Sequence, residues 1–173
     1  TDRKLAEERL TYISLHDIMT AIYNRAYFEE EMARFERGRV RPVSLLVMDM
    51  DNLKLLNDRG GHAAGDAALQ SIADILRACF RADDVVARIG GDEFAVLLPG
   101  LGLDFAQKAK QRVQAALEKY NQGSGAQQPI SLSIGCAAAE GAEPLAAAFK
   151  RADAAMYQEK NGKKSAAVKI AGR

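Results

Sequence analysis

The chain has 173 residues, of which 48% are hydrophobic and 27% are charged, a composition that predicts one folded domain and excludes a disordered chain. Its formal net charge of +1 provides no general field for nucleic acid or an anionic membrane, so any anionic ligand must be held by local chemistry. No apolar run approaches the roughly 20 residues that cross a bilayer. Cys79 and Cys136 lack the spacing of a zinc site, which favours reduced thiols and a cytoplasmic location.

The N-terminal segment, residues 2–15, consists of good helix formers. Its apolar residues Ala6, Leu10 and Ile13 recur at spacings of four and three, as in a short coiled-coil seam. Packing of this helix on its own domain accounts equally well for the pattern, so both interpretations stay open. Because the chain begins at Thr1 rather than Met, we expect it to be a segment of a longer protein.

The next elements alternate between helix and strand. A helix is predicted between a cap at Asn24 and a stop at Gly38. Residues 43–48 are apolar on both faces, which is typical of a strand at the centre of a sheet. A polar loop is expected around residues 57–65, and a helix follows over residues 64–80, where apolar residues return every three or four positions.

A hairpin is predicted from two apolar runs, residues 85–89 and 94–98, which flank Gly90 and Gly91. We expect these two glycines to supply the positive φ angles of a tight turn. The elements that follow are a helix, a flexible segment, an alternating strand, a last helix and a lysine-rich tail after its end, at residues 105–120, 121–128, 130–137, 145–156 and 160–164.

Without the N-terminal helices, this order is the ferredoxin-like split βαβ (βαββαβ) arrangement, an α+β fold with a central antiparallel sheet. We expect helices to cover mainly one face of that sheet. The first strand and the hairpin are neighbours in this topology, so Asp49 is expected to approach Asp92. Two carboxylates with a backbone carbonyl suit Mg²⁺ and a nucleotide's phosphates. An acidic pair after Gly-Gly, considered alone, is more often a solvated turn.

A more specific signal comes from an ordered set of motifs. The segments DIMTAIYNR, DMDNLKLLND, GHAAGD, RIGGDEF, SLSIG and ADAAMYQEK occupy residues 17–25, 49–58, 61–66, 88–94, 131–135 and 152–160. Together they resemble the GGDEF family of diguanylate cyclases over nearly the whole chain. The resemblance implies a palm-like fold of the nucleotidyl-cyclase type, and a reaction that condenses two GTP molecules into cyclic di-GMP and two pyrophosphates.

The resemblance also implies roles for the acidic residues. It assigns catalysis to Asp49, Asp92 and Glu93, and it assigns a metal, Mg²⁺ or alternatively Mn²⁺, to these side chains and the Met50 carbonyl. Glu93 is similar to a family residue that either binds a second metal or deprotonates the attacking ribose 3′ hydroxyl. Both assignments for Glu93 stay open.

Nucleotide recognition is implied for two groups of residues. Asn57 and Asp66 match the guanine-binding pair, and their amide and carboxylate suit the guanine edge; without the resemblance, Asn57 shapes a loop and Asp66 caps a helix. The phosphate-binding group comprises Asn52, Leu53, Lys54, Gly90, Gly91, Lys160 and Lys164. At its C-terminal end this sequence departs from the family, because Gly162 comes one residue early and Lys163 stands at the usual glycine position.

Regulation and assembly are implied as well. The RxxD pattern from Arg81 to Asp84, assisted by Arg88, is similar to the family's inhibitory site for cyclic di-GMP, with a solvated turn as the alternative. Residues 1–15 are expected to form a signalling helix below an upstream sensor, and residues 16–173 a catalytic domain that acts as a homodimer, at least transiently. Two alternatives stay open: a domain that only binds GTP or cyclic di-GMP, and an enzyme that makes a mixed purine product.

Overall fold

The structure is a computed structural model that describes residues 1–123 and 129–172. Its elements are α1 (Asp2–Leu15), α2 (Arg25–Arg37), β1 (Val43–Met50), α3 (Leu53–Gly60), α4 (His62–Cys79), β2 (Val85–Arg88), β3 (Glu93–Pro99), α5 (Leu103–Gly123), β4 (Leu132–Ala139) and α6 (Leu145–Ala171). Residues 124–128, which belong to the segment predicted as flexible, and residue 173 lie outside the described residues. Within the described ranges, no helix combines the length and the apolar character needed to span a bilayer.

The four strands form one antiparallel sheet in the order β2-β3-β1-β4. Strand β1 pairs with both β3 and β4, and β2 pairs with β3. This is the ferredoxin-like topology, so the predicted α+β fold class is confirmed. Because β1 has a neighbour on each side and helices above and below, residues 43–48 are all buried.

Helices cover both faces of the sheet, so the expectation of one mainly covered face is wrong. Side chains alternate between the faces along β1: Leu46 and Met48 pack in one core with α4 and α5, whereas Leu45 and Val47 pack in a second core with α2 and α6. Helices α2 and α6 lie outside the βαββαβ core and together cover the second face. Both faces of β1 are apolar, and burying both removes that surface from water.

Two regions predicted as loop or tail are helical. The expected polar loop at residues 57–65 contains the end of α3 and the start of α4, which are separated only by Gly61 with a φ of +78°. The lysine-rich residues 160–164 lie inside α6, which continues to Ala171, so the predicted helix end before them is wrong. Lysines three and four positions apart in this segment therefore share one face of the helix.

Helix α1 is exposed over residues 2–14, and none of its residues is buried. Packing on its own domain, one of the two interpretations of its apolar pattern, is therefore wrong for this structure. The end of α1 is nevertheless anchored by a stack of aromatic rings with centroid separations of 4.0, 4.8 and 4.0 Å, formed by Tyr12, His16, Tyr23 and Tyr27. The Tyr23 N–H donates to the Val86 carbonyl oxygen at 3.2 Å, which connects this stack to the edge strand β2.

Close packing of α6 on β4 sets the position of the C-terminal lysines. A Cβ on Gly135 of β4 would overlap backbone atoms of Ala152 and Met156 in α6, so a residue without a side chain is required for this approach. One turn after Met156, α6 passes the end of β1. The helix thereby brings its lysines to the same end of the sheet as Asp49.

Candidate functional site

Asp49 and Asp92 meet where two neighbouring strands end. Asp49 pairs in register with Glu93 across β1 and β3, and the Met50 N–H donates to the Asp92 carbonyl oxygen at 2.8 Å. Burial raises the pKa of Asp49; a hydrogen bond from Lys160 lowers it and the charge of Asp92 raises it, leaving the pKa above its usual value. The two carboxylates therefore repel each other, and a cation bound between them would relieve that repulsion.

Oxygen atoms of this cluster already contact a cation, the ammonium group of Lys160. Its Nζ lies 2.7 Å from Asp49 Oδ1 and 3.5 Å from the Met50 carbonyl oxygen. These oxygens and the Asp92 carboxylate are hard donors of the type that Mg²⁺ prefers. In the part of the chain that the structure describes, no three His, Cys, Asp or Glu side chains form a metal-binding group. A divalent metal here would therefore depend on two carboxylates, one backbone carbonyl and oxygens from a substrate or water.

The Glu93 carboxylate lies against Gly90. A Cβ on Gly90 would be 2.8 Å from Glu93 Oε2, so the absence of a side chain makes room for this carboxylate. Glu93 also lines a cleft of about 410 Å³ between α2 and α6, together with Arg25 and Lys150. Neither Gly90 nor Gly91 has a positive φ, so the expectation that they supply the positive φ angles of the turn is wrong, whereas their place in the phosphate-binding group stays a prediction. Close approach of Glu93 explains Gly90, while the position of a Cβ on Gly91 has no atom within 4 Å.

The turn that carries Asp92 is braced by Arg88. The Arg88 guanidinium donates to the Gly91 carbonyl oxygen at 2.7 and 3.2 Å, and to the Asp17 carboxylate at 3.2 and 3.3 Å. Burial raises the pKa of Asp17, but hydrogen bonds from Thr20 and Arg88 outweigh burial and leave the pKa lowered. Arg88 therefore links the turn to the N-terminal DIMT segment, and its role in an inhibitory site stays a prediction.

Asn57 and Asp66, the pair assigned to guanine, lie on the adjacent helices α3 and α4. The N-cap of α4 is Gly61, so the alternative role of Asp66 as a helix cap is wrong. Asn57 Oδ1 is buried and has no hydrogen-bond partner, a condition that favours a donor supplied by a ligand. A Cβ on Gly65 would overlap this amide oxygen. The glycine beside Asp66 is therefore what allows the Asn57 amide to occupy its position.

The chain turns sharply between β1 and α3. Asn52 has left-handed backbone angles, with a φ of +59° and a ψ of +29°, and no side chain caps the N-terminus of α3. Uncapped N–H groups at a helix start, which here include that of Leu53, suit an anion. Asn52 borders a cleft of about 520 Å³ that is also lined by Lys160, Lys163 and Lys164. Lys54 is exposed on α3 and is not among the residues that line this cleft.

Asp51 and Lys163 are two residues of this cleft to which the sequence assigned no role. The hydroxyl groups of Ser131 and Ser133 each donate to the Asp51 carboxylate at 2.7 Å, and Lys163 Nζ lies 2.9 Å from it. Burial raises the pKa of Asp51, but these three hydrogen bonds outweigh burial and leave the pKa lowered. The available signals were the serines of the SLSIG motif and the lysine at the usual glycine position.

Arg81 and Asp84 close a tight turn between α4 and β2. The Arg81 N–H donates to the Asp84 carboxylate at 2.9 Å, and the Asp84 N–H donates to the Arg81 carbonyl oxygen at 3.1 Å. Both residues line a cleft of about 410 Å³ that also includes His16 and Tyr23. Arg88 is not among the residues that line this cleft.

Known proteins with similar sequences agree on one family. The family profile described as "Diguanylate cyclase, GGDEF domain" matches residues 14–166. Diguanylate cyclase DgcM of Escherichia coli K12 is 37% identical over 164 residues, which is 93% of this chain and 40% of DgcM. Diguanylate cyclase TpbB of Pseudomonas aeruginosa UCBPP-PA14 is 40% identical over 154 residues, 86% of this chain and 35% of TpbB. The chain thus spans less than half the length of these relatives.

Solved structures give the same result. The GGDEF domain of TpbB from P. aeruginosa PAO1 has a TM-score of 0.75 and 40% sequence identity, with 85% of this chain and 89% of that chain covered. The coiled coil and GGDEF domain of DgcB from Caulobacter crescentus, solved in complex with c-di-GMP, has a TM-score of 0.81 and 26% identity, with 92% and 88% covered. The shared fold therefore includes nearly all of both chains.

Proposed function

This chain belongs to the GGDEF family of diguanylate cyclases, and on that premise we propose that it condenses two GTP molecules into cyclic di-GMP and two pyrophosphates. The observation that carries the proposal is the cluster of Asp49, Asp92 and the Met50 carbonyl, next to a helix on which Asn57 holds a buried, unsatisfied acceptor. The cluster suits a metal-bound triphosphate, and the acceptor suits a purine edge that donates hydrogen bonds.

The phosphates of GTP lie along the turn between β1 and α3. Backbone N–H groups of Asn52 and Leu53 donate to the terminal phosphates, and Lys160 and Lys164 line the adjoining cleft. Without nucleotide the Lys160 ammonium contacts Asp49 and the Met50 carbonyl oxygen, so it would turn toward the phosphates when a metal is bound there. Asp49, Asp92 and the Met50 carbonyl would hold Mg²⁺, or Mn²⁺ in its place. When bound, this metal neutralises charge that develops on the phosphates during transfer.

Guanine lies between α3 and α4. Asn57 Oδ1 accepts a hydrogen bond from the base, and Asp66 accepts from its N1–H and N2–H₂ groups. Adenine carries no N1–H donor, and its edge would leave the Asp66 carboxylate without partners. This pair therefore favours guanine over adenine, which argues against the mixed purine alternative.

Each domain presents half of the reacting pair. Two domains face each other so that the 3′ oxygen of one nucleotide bonds to the α-phosphorus of the other, while the bond from that phosphorus to the β-phosphate oxygen breaks. Glu93 accepts the proton of the 3′ hydroxyl, and pyrophosphate leaves. The presence of Asp49, Asp92 and Glu93 argues against a domain that only binds nucleotides.

Residues 1–15 connect the catalytic domain, residues 16–173, to an upstream sensor that brings two chains together. Leu10 and Ile13, which are exposed and three positions apart on one face of α1, suit contact with a second helix. The anchored end of α1 contacts β2 through Tyr23, so a change in the helix pair reaches the edge of the catalytic sheet.

Incubation of the concentrated protein with GTP and Mg²⁺ is expected to yield cyclic di-GMP, with two pyrophosphates released for each product, identified by mass. The rate per protein molecule is expected to rise with protein concentration, because two half-sites must meet. A parallel reaction with GTP and ATP tests for mixed products. Constant specific activity over a range in which the protein is monomeric would contradict the two-domain mechanism, and a folded dimer that binds GTP without turnover would support the binding-only alternative.

The replacement Arg81→Ala is expected to weaken cyclic di-GMP binding by roughly 10- to 100-fold, because a hydrogen bond to a charged group contributes about 1.5–3 kcal/mol. The initial rate of synthesis should not change, since product is absent at the start. Calorimetry with cyclic di-GMP measures the affinity, and Arg37→Ala, at an exposed arginine of α2, controls for lost charge. Equal affinities in wild type and Arg81→Ala would place the inhibitory site elsewhere.

A further inference from the structure

Lys163 occupies the position at which the family pattern usually has glycine, and its side chain is engaged by the protein itself. Its Nζ lies 2.9 Å from Asp51 Oδ2, 3.3 Å from Ser131 Oγ and 2.6 Å from the Leu132 carbonyl oxygen. The ammonium thus has three acceptors, equal to its number of N–H donors. The hydrogen bonds of Lys163 are therefore made within the protein, which does not suit a lysine whose role is to bind a phosphate.

Asp51, the main partner of Lys163, is also satisfied within the chain. The Asp51 carboxylate accepts hydrogen bonds from the Ser131 and Ser133 hydroxyl groups and from the Lys163 ammonium. The Asp51 N–H donates to the Ser131 carbonyl oxygen at 2.9 Å. Its side chain is only 9% exposed. Asp49, two residues earlier, differs because a second carboxylate faces it. Asp51 is thus suited to anchor the chain rather than to bind a ligand.

The contact between Asp51 and Lys163, here called the anchor, lies directly before Asn52 in the turn that joins β1 to α3. Asn52 has a left-handed backbone, a conformation that residues other than glycine seldom adopt, although asparagine adopts it more readily than most. Such a conformation persists only where the surrounding structure imposes it. The contacts of Asp51 join the residue before Asn52 to both β4 and α6, so they hold one end of this turn.

We propose that Lys163 is a positioning residue. By binding Asp51 and the edge of β4, it holds the Asn52 turn in the conformation that presents the N–H groups of Asn52 and Leu53 to the nucleotide phosphates. Lys164 and Lys160 line the same cleft, and without nucleotide the Lys160 ammonium contacts Asp49 rather than Asp51. The inference rests on the proposed function for the identity of that ligand, whereas the anchor itself is a property of the protein without nucleotide.

A simpler account is that Lys163 only adds positive charge near the phosphates. The two accounts differ in the sign that they predict for Asp51→Asn. Removing a negative charge makes the cleft more positive, so the charge account predicts tighter nucleotide binding. The anchor account predicts weaker binding for Asp51→Asn and for Lys163→Met alike. In the double variant, the two losses should be less than additive, because both single changes break the same contact.

Two measurements on the full chain test the proposal. Without nucleotide, exchange of the Asp51 and Leu56 amide hydrogens, which flank the turn and donate to the carbonyl oxygens of Ser131 and Asn52, is expected to become about tenfold faster in Lys163→Met and Asp51→Asn. With Mg²⁺ and a GTP analogue that has a non-cleavable α–β linkage, calorimetry is expected to show roughly 5- to 20-fold weaker binding in both variants. Lys163→Arg should retain most of the exchange protection and affinity, and Lys119→Ala, at an exposed lysine of α5, should match wild type.

Unchanged exchange in both variants, or tighter analogue binding by Asp51→Asn, would overturn the proposal. If the wild-type protein bound no GTP analogue, the proposed function would fail, while the exchange rates of the Asp51 and Leu56 amides would still decide whether Lys163 holds the turn. A wild-type protein that makes cyclic di-GMP, with variants that match it in both measurements, would reject Lys163 as a positioning residue and leave the proposed function intact.

Discussion

Replacing Asp92 by asparagine is expected to lower the rate of cyclic di-GMP synthesis by about 10³-fold, since loss of a metal ligand removes several kcal/mol of charge stabilisation in the transition state. The side chain keeps its size, and the Asp92 backbone carbonyl can still accept the hydrogen bond from the Met50 N–H. The fold should therefore stay intact. Burial is the main cause of the raised pKa of Asp49, and the charge of Asp92 raises it further; removal of that charge relieves the repulsion, so thermal stability should be equal or higher.

Initial rates at saturating GTP, with circular dichroism and thermal unfolding on the same samples, measure this effect. Titration with Mg²⁺ provides a second measurement, because a weakened metal site should require a higher concentration of the ion. Asp104→Asn, at an exposed carboxylate in the first turn of α5, is the matched control and should keep wild-type activity. Substantial activity in folded Asp92→Asn protein would remove Asp92 from the metal site.

The replacement Gly65→Ala is expected to weaken GTP binding by about 100-fold, although it adds only one methyl group. A Cβ at this position overlaps the Asn57 amide oxygen and lies 3.0 Å from Leu53 Cδ1. The Asn57 side chain must therefore move from the site in which its acceptor faces the base. When a binding site can no longer form one hydrogen bond with its ligand, and a buried polar group is left without a partner, the affinity falls by about 1–3 kcal/mol.

Calorimetry with the non-cleavable GTP analogue measures the loss, and a competition with ATP shows whether the preference for guanine falls with it. Gly162→Ala is the matched control, because its added Cβ has no atom within 4 Å inside α6 and the change should stabilise the helix by about 0.5–1 kcal/mol. Wild-type affinity in folded Gly65→Ala protein would show that the Asn57 amide does not recognise the base.

The sequence predicted the order of the strands and the meeting of Asp49 with Asp92. Strand β1 is apolar on both faces, and this pattern indicates a central strand without any knowledge of where the helices pack. Once β1 and β3 pair as antiparallel neighbours, a two-residue side-chain period places Asp49 opposite Glu93. The spacing of the motifs then indicates the family. The segments whose residues meet at one end of the sheet occur along the chain in the same order as in the family.

The sequence by itself therefore determined the fold class, the central strand and the carboxylates at its end, because these follow from local periodicity and strand order. The tertiary structure alone decided the contact between Lys163 and Asp51, which are 112 residues apart, and the helical state of residues 160–164. The position of α6 depends on its close approach to Gly135, and no local sequence pattern predicts that approach. The overlap between a Gly65 side chain and Asn57 has the same origin, since it depends on how α3 packs against α4.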